Sequence, residues 1–363
     1  MKAAVCYAFD QPLVVEEVEI DPPWSGEVKV RLAATAICHS DVHLIRGDWG
    51  GDLPVVAGHE AAGVVEEVGP NVTLTKAGDH VVMSLLRSCG RCFYCTTGAP
   101  HMCKGAFALE SESRLRNKRG QPLRQGINVA GFAEYAVVDQ SQVVPIPIEM
   151  PLDRAALLAC GVITGLGAVV NTAHVAPGSS VSVIGTGGVG LNALQGAVLA
   201  GAHPIIAVDI LETKLAAARS FGALHTINAA QVDPIAAVKE LTSGRGADYV
   251  FVTVGSTKAV EQGLNMIRPA GTLVLVGLPA KNAAVALTVF DCVVNERKVI
   301  GSSMGSTRLS VDVPRLIDLY RHGRLKLDEL ITNRYPLEQI NVAIAEMETG
   351  EVLRNVIVFS QSN

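Results

Sequence analysis

Four of the eight cysteines of this chain crowd into one short stretch with the spacing C-x2-C-x2-C-x7-C. These are Cys89, Cys92, Cys95 and Cys103. Short knuckles of this kind can close a tetrahedron of sulfur atoms around one ion, and a closed set of four ligands leaves no position for a substrate. Zinc is the commoner occupant, although iron also accepts four thiolates. The spacing therefore predicts a structural metal site, beside which His101 is a bystander.

A second chemical pattern is G-x-G-x-x-G, which follows a β-branched run and precedes a helical one. In this motif Gly185 permits a tight turn, Gly187 lets the backbone approach a pyrophosphate, and Gly190 lets helix and strand pack closely. The helix that follows Gly188 and starts at Val189 would offer free N–H groups and a positive dipole end to the phosphates. The motif predicts a dinucleotide site, and the alternative is a plain strand–turn–helix without a ligand.

Asp209 lies nineteen residues after Gly190, at the end of the next predicted strand. A carboxylate at this position can accept hydrogen bonds from both ribose hydroxyls and would repel a 2′-phosphate. The sequence therefore favours NAD over NADP.

Three further candidate ligands, Cys38, His59 and Cys160, are far apart and lie at glycine-rich or polar junctions. A lone cysteine is usually a small core residue, and a lone histidine is often structural. Spacing alone does not bring these three residues together.

The elements that must position these residues show two different secondary-structure patterns along the chain. Residues 1–150 contain short valine-rich runs that end at Gly, Pro or Asp, which is typical of β-strands. After about residue 150, apolar runs alternate with Ala- and Leu-rich helical stretches, and this alternation indicates a doubly wound parallel sheet. The predicted strands are 28–32, 62–68, 80–83, 133–138, 180–184, 204–208, 247–254, 272–276 and 355–359, and the predicted helices are 189–200, 212–221, 258–267 and 313–322.

The composition excludes several classes of protein. Of 363 residues, 49% are hydrophobic and 18% charged, which excludes a disordered chain, and a net charge of −5 argues against a nucleic-acid surface. The basic run 104–126 is expected to be a solvated surface loop. Because we find neither an apolar run long enough for a membrane span nor an export signal, we expect a cytoplasmic protein without membrane or nucleic-acid partners.

Residues 58–69, GHEAAGVVEEVG, resemble the zinc signature of the medium-chain zinc-dependent alcohol dehydrogenases. The resemblance covers essentially the whole chain, in order and in separation. It includes ICHSDVH at 37–43, the four-cysteine lobe, LLACGVITGLGAVV at 157–170, GTGGVG and the closing GEVLRNVIVF. The lobe at 89–98 is also similar to bacterial nicotinoprotein alcohol dehydrogenases, which hold NAD tightly.

The resemblance implies an α/β protein with two domains. A GroES-like, β-rich, zinc-binding catalytic domain would comprise residues 1–161 and 303–363, and a Rossmann NAD-binding domain with a doubly wound parallel sheet would comprise 162–302. It implies two zinc ions per subunit, one catalytic and one structural. It also implies a homodimer, with a tetramer as the alternative, joined through the sheet edge near residues 295–305.

For the catalytic metal, the resemblance implies that Cys38, His59 and Cys160 hold zinc with a water in the fourth position. Glu60 would be the acidic neighbour of the metal, and Asp41 would fix the His59 ring through its other nitrogen.

For the reaction, the resemblance implies that Ser40 takes the proton of the alcohol and passes it to His43, since an imidazole is a suitable terminal proton acceptor. Trp49 and Leu85 would line the substrate pocket. Further residues implied to bind the cofactor are His39, Thr164, Lys214, Val254, Val276, Leu278 and Arg354.

The expected function is oxidation of primary or aromatic alcohols to aldehydes, and the reverse, with hydride transfer to NAD(H). One alternative is a dehydrogenase of a thiol–formaldehyde adduct, although such relatives carry an arginine where this chain has Phe107. A second is a nicotinoprotein that retains its NAD. A silent zinc- and dinucleotide-binding protein is disfavoured, because it would not need Ser40, His43 and an open three-ligand site together.

Overall fold

The computed structural model describes residues 1–360, and the chain divides into two compact units. The first unit comprises Met1–Cys160 and the chain from Arg308 onward, and the second comprises Gly161–Thr307. The expected return at residue 303 therefore lies inside the second unit. The reason is local packing, since Asn171 donates a hydrogen bond to the Gly305 carbonyl oxygen at 3.2 Å.

The first 160 residues are mostly β-structure, as their valine-rich runs predict. The strands are β1 (Lys2–Cys6), β2 (Val14–Ile20), β3 (Glu27–Ala36), β4 (Val55–Val56), β5 (Glu60–Val68), β6 (His80–Met83), β7 (Leu115–Asn117), β8 (Pro122–Gln125), β9 (Tyr135–Asp139) and β10 (Val143–Pro145). The helices are α1 (His39–Arg46), α2 (Phe93–Thr96) and α3 (Leu152–Leu157).

The second unit alternates helices and strands. The strands are β11 (Val181–Ile184), β12 (Ile205–Asp209), β13 (His225–Asn228), β14 (Ala247–Val252), β15 (Ile267–Leu275) and β16 (Lys298–Gly301). The helices are α4 (Gly161–Gly167), α5 (Gly188–Leu199), α6 (Glu212–Ser220), α7 (Pro234–Leu241), α8 (Thr257–Met266) and α9 (Val289–Val294). The strands pair in parallel in the order β13-β12-β11-β14-β15-β16, so the prediction of a doubly wound sheet is confirmed.

The chain then returns to the first unit with α10 (Leu309–Arg321), β17 (Ile331–Tyr335), α11 (Ile340–Glu348) and β18 (Arg354–Val358). The large sheet has the order β10-β6-β5-β3-β18-β17, with β9 also paired to β3. Its register sets Ala36 at the end of β3 opposite both Glu60 of β5 and Val356 of β18. This register brings the segments that follow β3, precede β5 and begin β18 to one place.

The prediction of a solvated surface loop at 104–126 is wrong for its second half. There β7 and β8 complete a closed barrel of order β1-β2-β7-β8-β4. Leu115 and Leu123 are fully buried, and Arg114 is buried against Glu27, with its Nη2 2.7 Å from Oε1. Apolar side chains in alternation with the charged ones decide this outcome, because one face of each strand packs into the barrel. Other basic residues of the segment pair with acidic neighbours: Lys118 with Glu17, Arg116 with Asp21, and Arg124 with Asp52.

The cores of both units are built largely from Val, Ala, Leu and Ile, as the low aromatic content predicts. Within residues 1–360 no helix is both long enough and apolar enough to cross a membrane.

Candidate metal and nucleotide sites

A buried group of potential metal ligands forms where β3, β5 and α3 end or begin. It comprises Cys38, His59, Glu60 and Cys160, whose ligand atoms all lie within 4.8 Å of one another. We call this group the mixed cluster. Cys38 caps the N-terminus of α1, His59 directly precedes β5, and Cys160 directly precedes α4. Residues separated by more than a hundred positions are thus brought together by sheet register and helix packing.

Asp41 braces the mixed cluster from the first turn of α1. Its Oδ1 lies 2.9 Å from His59 Nδ1 and accepts a hydrogen bond from the Gly58 N–H, while its Oδ2 accepts one from the Cys38 N–H at 3.1 Å. Because Asp41 is fully buried and acceptor-only, it favours the His59 tautomer that carries its proton on Nδ1. The Nε2 atom of His59 is buried and has no hydrogen-bond partner among residues 1–360. An open nitrogen beside two thiols fits a bound zinc ion.

The charges around the mixed cluster are strongly coupled. The hydrogen bond from Cys160 lowers the pKa of the Cys38 thiol well below its ordinary value, and the same contact, with burial, raises the pKa of Cys160. Burial lowers the pKa of His59, but Asp41 outweighs it and the net pKa is well above the ordinary value. A bound cation would deprotonate both thiols and displace any proton from His59 Nε2.

Glu60 forms a buried ion pair with Arg354, in which Oε2 lies 2.5 Å from Nη2. Burial raises the pKa of Glu60 to about 7, against the lowering effect of the guanidinium. Arg354 thus touches the mixed cluster through Glu60.

A second group, Cys89, Cys92, Cys95 and Cys103, also has its sulfur atoms within 4.8 Å of one another, and all four residues are half-buried. We call it the thiol cluster. The Cys103 sulfur accepts hydrogen bonds from the Cys89 and Gly105 N–H groups, both at 3.2 Å. Backbone N–H groups of Lys104 and Cys95 lower the pKa of Cys92 to about 6. His101 lies outside this group, and the four sulfurs fit a closed tetrahedral metal site.

Helix α1 also carries Ser40 and His43, which are expected to move the proton and are partly buried. His39, expected to bind the cofactor, lies on the same helix and is exposed. Ser40 and His43 are three positions apart, so they lie on one face of the helix. The Trp49 ring packs beside His43, with ring centroids 5.2 Å apart. Leu85, the other expected pocket residue, is partly buried after β6, and its carbonyl accepts a hydrogen bond from Asn128 at 3.3 Å.

In the second unit, the glycine loop joins β11 to α5. Gly185 has φ 87°, and a Cβ there would meet the Val254 side chain at 2.3 Å. A Cβ on Gly190 would stand 1.8 Å from the Gly185 carbonyl oxygen, so these two glycines are required by packing. A Cβ on Gly187 would meet no atom within 4 Å. Because the protein itself leaves this space open in front of the N-terminus of α5, the loop fits a bound pyrophosphate.

Asp209 ends β12 next to this loop. Its Oδ2 accepts hydrogen bonds from the Thr186 N–H at 2.7 Å and hydroxyl at 3.0 Å, and its Oδ1 accepts from the Ile210 N–H at 2.7 Å and the Leu211 N–H at 3.1 Å. These four hydrogen bonds occupy the about four acceptor positions of a carboxylate, so a ribose hydroxyl would have to replace or share one of them.

The other residues expected to bind the cofactor lie at several places in the second unit. Val254 follows β14 and Val276 follows β15, at the carboxyl edge of the sheet, which is where open parallel sheets bind ligands. Leu278 is exposed, Lys214 is buried in α6, and Thr164 of α4 is buried with its hydroxyl 3.6 Å from the Met304 sulfur.

Two family comparisons match most of the chain. Residues 25–148 match the alcohol dehydrogenase GroES-like domain, and residues 188–321 match the zinc-binding dehydrogenase family. The chain belongs to the zinc-binding alcohol dehydrogenases. The family and the α/β fold class expected from the sequence are therefore confirmed.

Relatives of known name match nearly the whole length of this chain. It is 40% identical to the NDMA-dependent alcohol dehydrogenase of Amycolatopsis methanolica over 99% of both chains. It is 37% identical to the S-(hydroxymethyl)glutathione dehydrogenase of Saccharomyces cerevisiae, over 98% of this chain and 95% of that one. The solved structure of benzyl alcohol dehydrogenase from Acinetobacter calcoaceticus matches with a TM-score of 0.92 at 33% identity, over 99% of each chain. The family supports an oxidoreductase that acts on alcohols.

The structure adds two residues to this alcohol dehydrogenase's sites that sequence reasoning did not select. Asp48 contacts His43, and Thr186 binds Asp209 from within the glycine loop. The sequence signal for Asp48 is a Gly-Asp pair directly after a helix, where the chain turns back on the last helical residues.

Proposed function

We propose that this alcohol dehydrogenase oxidises primary or aromatic alcohols to aldehydes, and reduces aldehydes in reverse, with NAD(H) as the hydride carrier. The observation that carries the proposal is the mixed cluster, in which two buried thiols adjoin a histidine with an open Nε2 and a braced Nδ1. Because Glu60 is engaged by Arg354, the other three donors leave a fourth position for a substrate oxygen, unlike the closed set of the thiol cluster.

In this proposal Cys38, His59 and Cys160 hold a catalytic zinc ion, and the thiol cluster holds a structural one. When bound, the catalytic zinc supplies Lewis acidity toward the alcohol or aldehyde oxygen, and NAD(H) supplies the hydride acceptor or donor. Asp41 keeps the His59 ring in its ligand orientation. Glu60 and Arg354 form a buried pair beside the ligands, where each balances the other's charge.

The chain's own residues handle the proton. Ser40 accepts it from the alcohol and passes it to His43, about one helical turn further along α1. This route removes the proton without a charged group at the apolar substrate.

For the nucleotide, the glycine loop and the N-terminus of α5 bind the pyrophosphate, and Asp209 binds the ribose hydroxyls and disfavours a 2′-phosphate. We assign the remaining nucleotide contacts to residues near the carboxyl edge of the parallel sheet, to residues of α4 and α5, and to three basic side chains. These are Val254, Val276 and Leu278 near the edge, Thr164, Gly188 and Val189 on the helices, and the basic residues His39, Lys214 and Arg354.

For the substrate, we assign one pocket wall to Trp49 and another to Leu85. A bulky indole narrows the pocket and favours primary over branched secondary alcohols, and the relative that acts on benzyl alcohol supports an aromatic substrate. Phe107 disfavours a thiol adduct that carries a carboxylate, because its ring offers no positive charge to bind that group.

A panel of primary, secondary and aromatic alcohols, assayed with and without added NAD, tests this proposal, together with extraction of nucleotide from the purified protein. We expect primary or aromatic alcohols to turn over fastest and NAD to be the nucleotide used. Turnover of a secondary alcohol far faster than its primary isomer contradicts the substrate assignment. Turnover that needs an artificial acceptor and no added NAD, with NAD in the extract, assigns the protein to the nicotinoproteins. A formaldehyde assay that requires free glutathione favours the thiol adduct.

We further propose that the protein is a homodimer joined through the second unit. Within residues 1–360, β16 pairs only with β15, so its outer edge is unpaired. Shortly before it in the chain, α9 exposes Phe290 by 77% and Val293 by 71%. An unpaired strand edge and an exposed apolar helix are both expected to be covered by another chain.

Light scattering tests the dimer with Val293→Asp, which we expect to yield monomers. Val232→Asp is the matched control, because Val232 is also exposed in the second unit but lies before α7, away from β16. Dimers that persist in Val293→Asp contradict this interface.

A further inference from the structure

The short segment after α1 folds back onto that helix. Gly47 ends α1 with φ 79°, a left-handed conformation that glycine adopts without strain. The turn returns the next residue over the last helical turn, so that the Asp48 N–H donates to the His43 carbonyl oxygen at 3.0 Å.

Three contacts from this segment meet on His43. Besides the backbone hydrogen bond, Oδ2 of Asp48 lies 2.6 Å from Nδ1 of the His43 ring. The ring of Trp49 lies beside the imidazole at a centroid distance of 5.2 Å and an angle of 33°. His43 is therefore held along its backbone, at one ring nitrogen and along its ring.

We propose that Asp48 is a positioning residue for proton transfer through His43, an inference that rests on the proton route proposed above. A carboxylate is acceptor-only, so its hydrogen bond to Nδ1 favours the neutral tautomer with the proton on Nδ1. Nε2 then carries the free lone pair. The nitrogen left open is the one that accepts the proton.

The same carboxylate favours the product of that step. Once Nε2 takes the proton, the imidazolium lies against a negative charge at hydrogen-bond distance. The side chains are 31% and 40% exposed, so water screens the attraction. We therefore expect removal of the Asp48 carboxylate to slow the reaction about three- to ten-fold. This effect is far smaller than that of removing the buried aspartate of a hydrolase triad.

The test compares Asp48→Ala, Asp48→Asn and His43→Ala, with the double variant Asp48→Ala/His43→Ala, in steady-state oxidation of benzyl alcohol with NAD. Asp52→Asn is the matched control, because Asp52 lies on the same segment but pairs with Arg124 at 3.0 Å. We expect Asp48→Ala to lower kcat/KM for the alcohol about three- to ten-fold with an unchanged KM for NAD. The kcat/KM of Asp48→Asn should lie between those of Asp48→Ala and the parent protein. The kcat/KM of Asp52→Asn should equal that of the parent. Adding Asp48→Ala to His43→Ala should have no further effect.

Soluble imidazole separates proton transfer from a structural defect. A proton acceptor in solution should restore part of the rate of Asp48→Ala and of His43→Ala, whereas it does not repair a distorted protein. Zinc content and thermal unfolding are measured on every variant and identify any variant that does not fold. If Asp48→Ala does not fold, the rate of Asp48→Asn decides whether Asp48 has the proposed role.

The possible failures are distinguishable. If His43→Ala keeps the parent rate, the proposed proton route is wrong, and the role of Asp48 with it. If His43→Ala is slow but Asp48→Ala is not, only the role of Asp48 is wrong. If Asp48→Ala slows the His43→Ala protein by the same factor as the parent, or imidazole rescues neither variant, Asp48 does not act through His43.

Discussion

The mixed cluster and the thiol cluster offer metal ions similar atoms in opposite surroundings. The mixed cluster is buried, contains a histidine and a carboxylate, and is braced by side chains such as Asp41. The thiol cluster is half-buried, contains sulfur alone, and is braced by backbone N–H groups. A buried ligand set that is held in place and leaves one metal position open suits chemistry on a substrate. A complete ligand set within a short segment suits a metal that only stabilises the fold of that segment.

The sharpest test of this difference is Cys38→Ser. We expect alcohol oxidation to fall roughly a thousand-fold, about 4 kcal/mol of transition-state stabilisation, because the catalytic metal loses a thiolate ligand. Metal analysis should show one zinc lost, with circular dichroism unchanged. Cys292→Ser is the control, since Cys292 belongs to neither cluster. Full activity in Cys38→Ser would remove the catalytic role of the mixed cluster.

The corresponding change in the thiol cluster is Cys95→Ser, which should affect stability instead of chemistry. We expect kcat to be retained at low temperature and the thermal midpoint to fall by roughly 10 °C, the shift that ~3 kcal/mol gives in a unit of this size. Limited proteolysis should cut between residues 89 and 105, because this segment is no longer held together by the metal. A fall in kcat without a change in melting would mean that the two clusters are not divided in this way.

Asp41→Asn tests the brace of the mixed cluster. The amide removes the negative charge from His59 Nδ1 and turns a donor toward one of the N–H groups that Asp41 now accepts. We expect catalytic zinc to bind about 10- to 100-fold more weakly, measured by competition with a chelator, while the structural zinc is retained. Asp79→Asn serves as the control, because Asp79 caps a turn outside both clusters. Equal zinc affinity in the two variants would mean that the brace is dispensable.

The two clusters also differ in how far the sequence predicts them. The thiol cluster is local, so its spacing alone predicts a metal site. The ligands of the mixed cluster span residues 38 to 160, and they meet because β3 and β5 pair with Ala36 opposite Glu60. That register is a non-local property that no short window contains, so only the family resemblance suggested the group.

The fold follows the same division. The strand–helix alternation of the second unit is a local pattern, and it predicted β11, α5, β12 and α6 to within a few residues. The strands β7 and β8 were missed, because their charges indicate solvent, whereas the barrel that buries Leu115 and Leu123 is completed by distant β1 and β4. Asp48 was missed because its contact depends on the left-handed turn at Gly47.

Gly105→Ala gives the smallest expected effect and tests how tightly the thiol cluster is packed. A Cβ at Gly105 would stand 2.6 Å from Cys89 Cβ and 2.9 Å from its sulfur, so the lobe must shift to accept it. Because the cluster is half-buried and its neighbours can move, we expect the free energy of unfolding to fall by only about 1 kcal/mol. Thermal unfolding measures this loss, and kcat should be unchanged. Gly58 beside the mixed cluster is the contrast, since it has φ 93° and a Cβ there would lie 2.5 Å from the backbone nitrogen of Phe132. Gly58→Ala should displace His59 and reduce activity. If Gly58→Ala and Gly105→Ala have equal effects on activity and stability, the difference in burial between the two clusters does not determine how they respond to substitution.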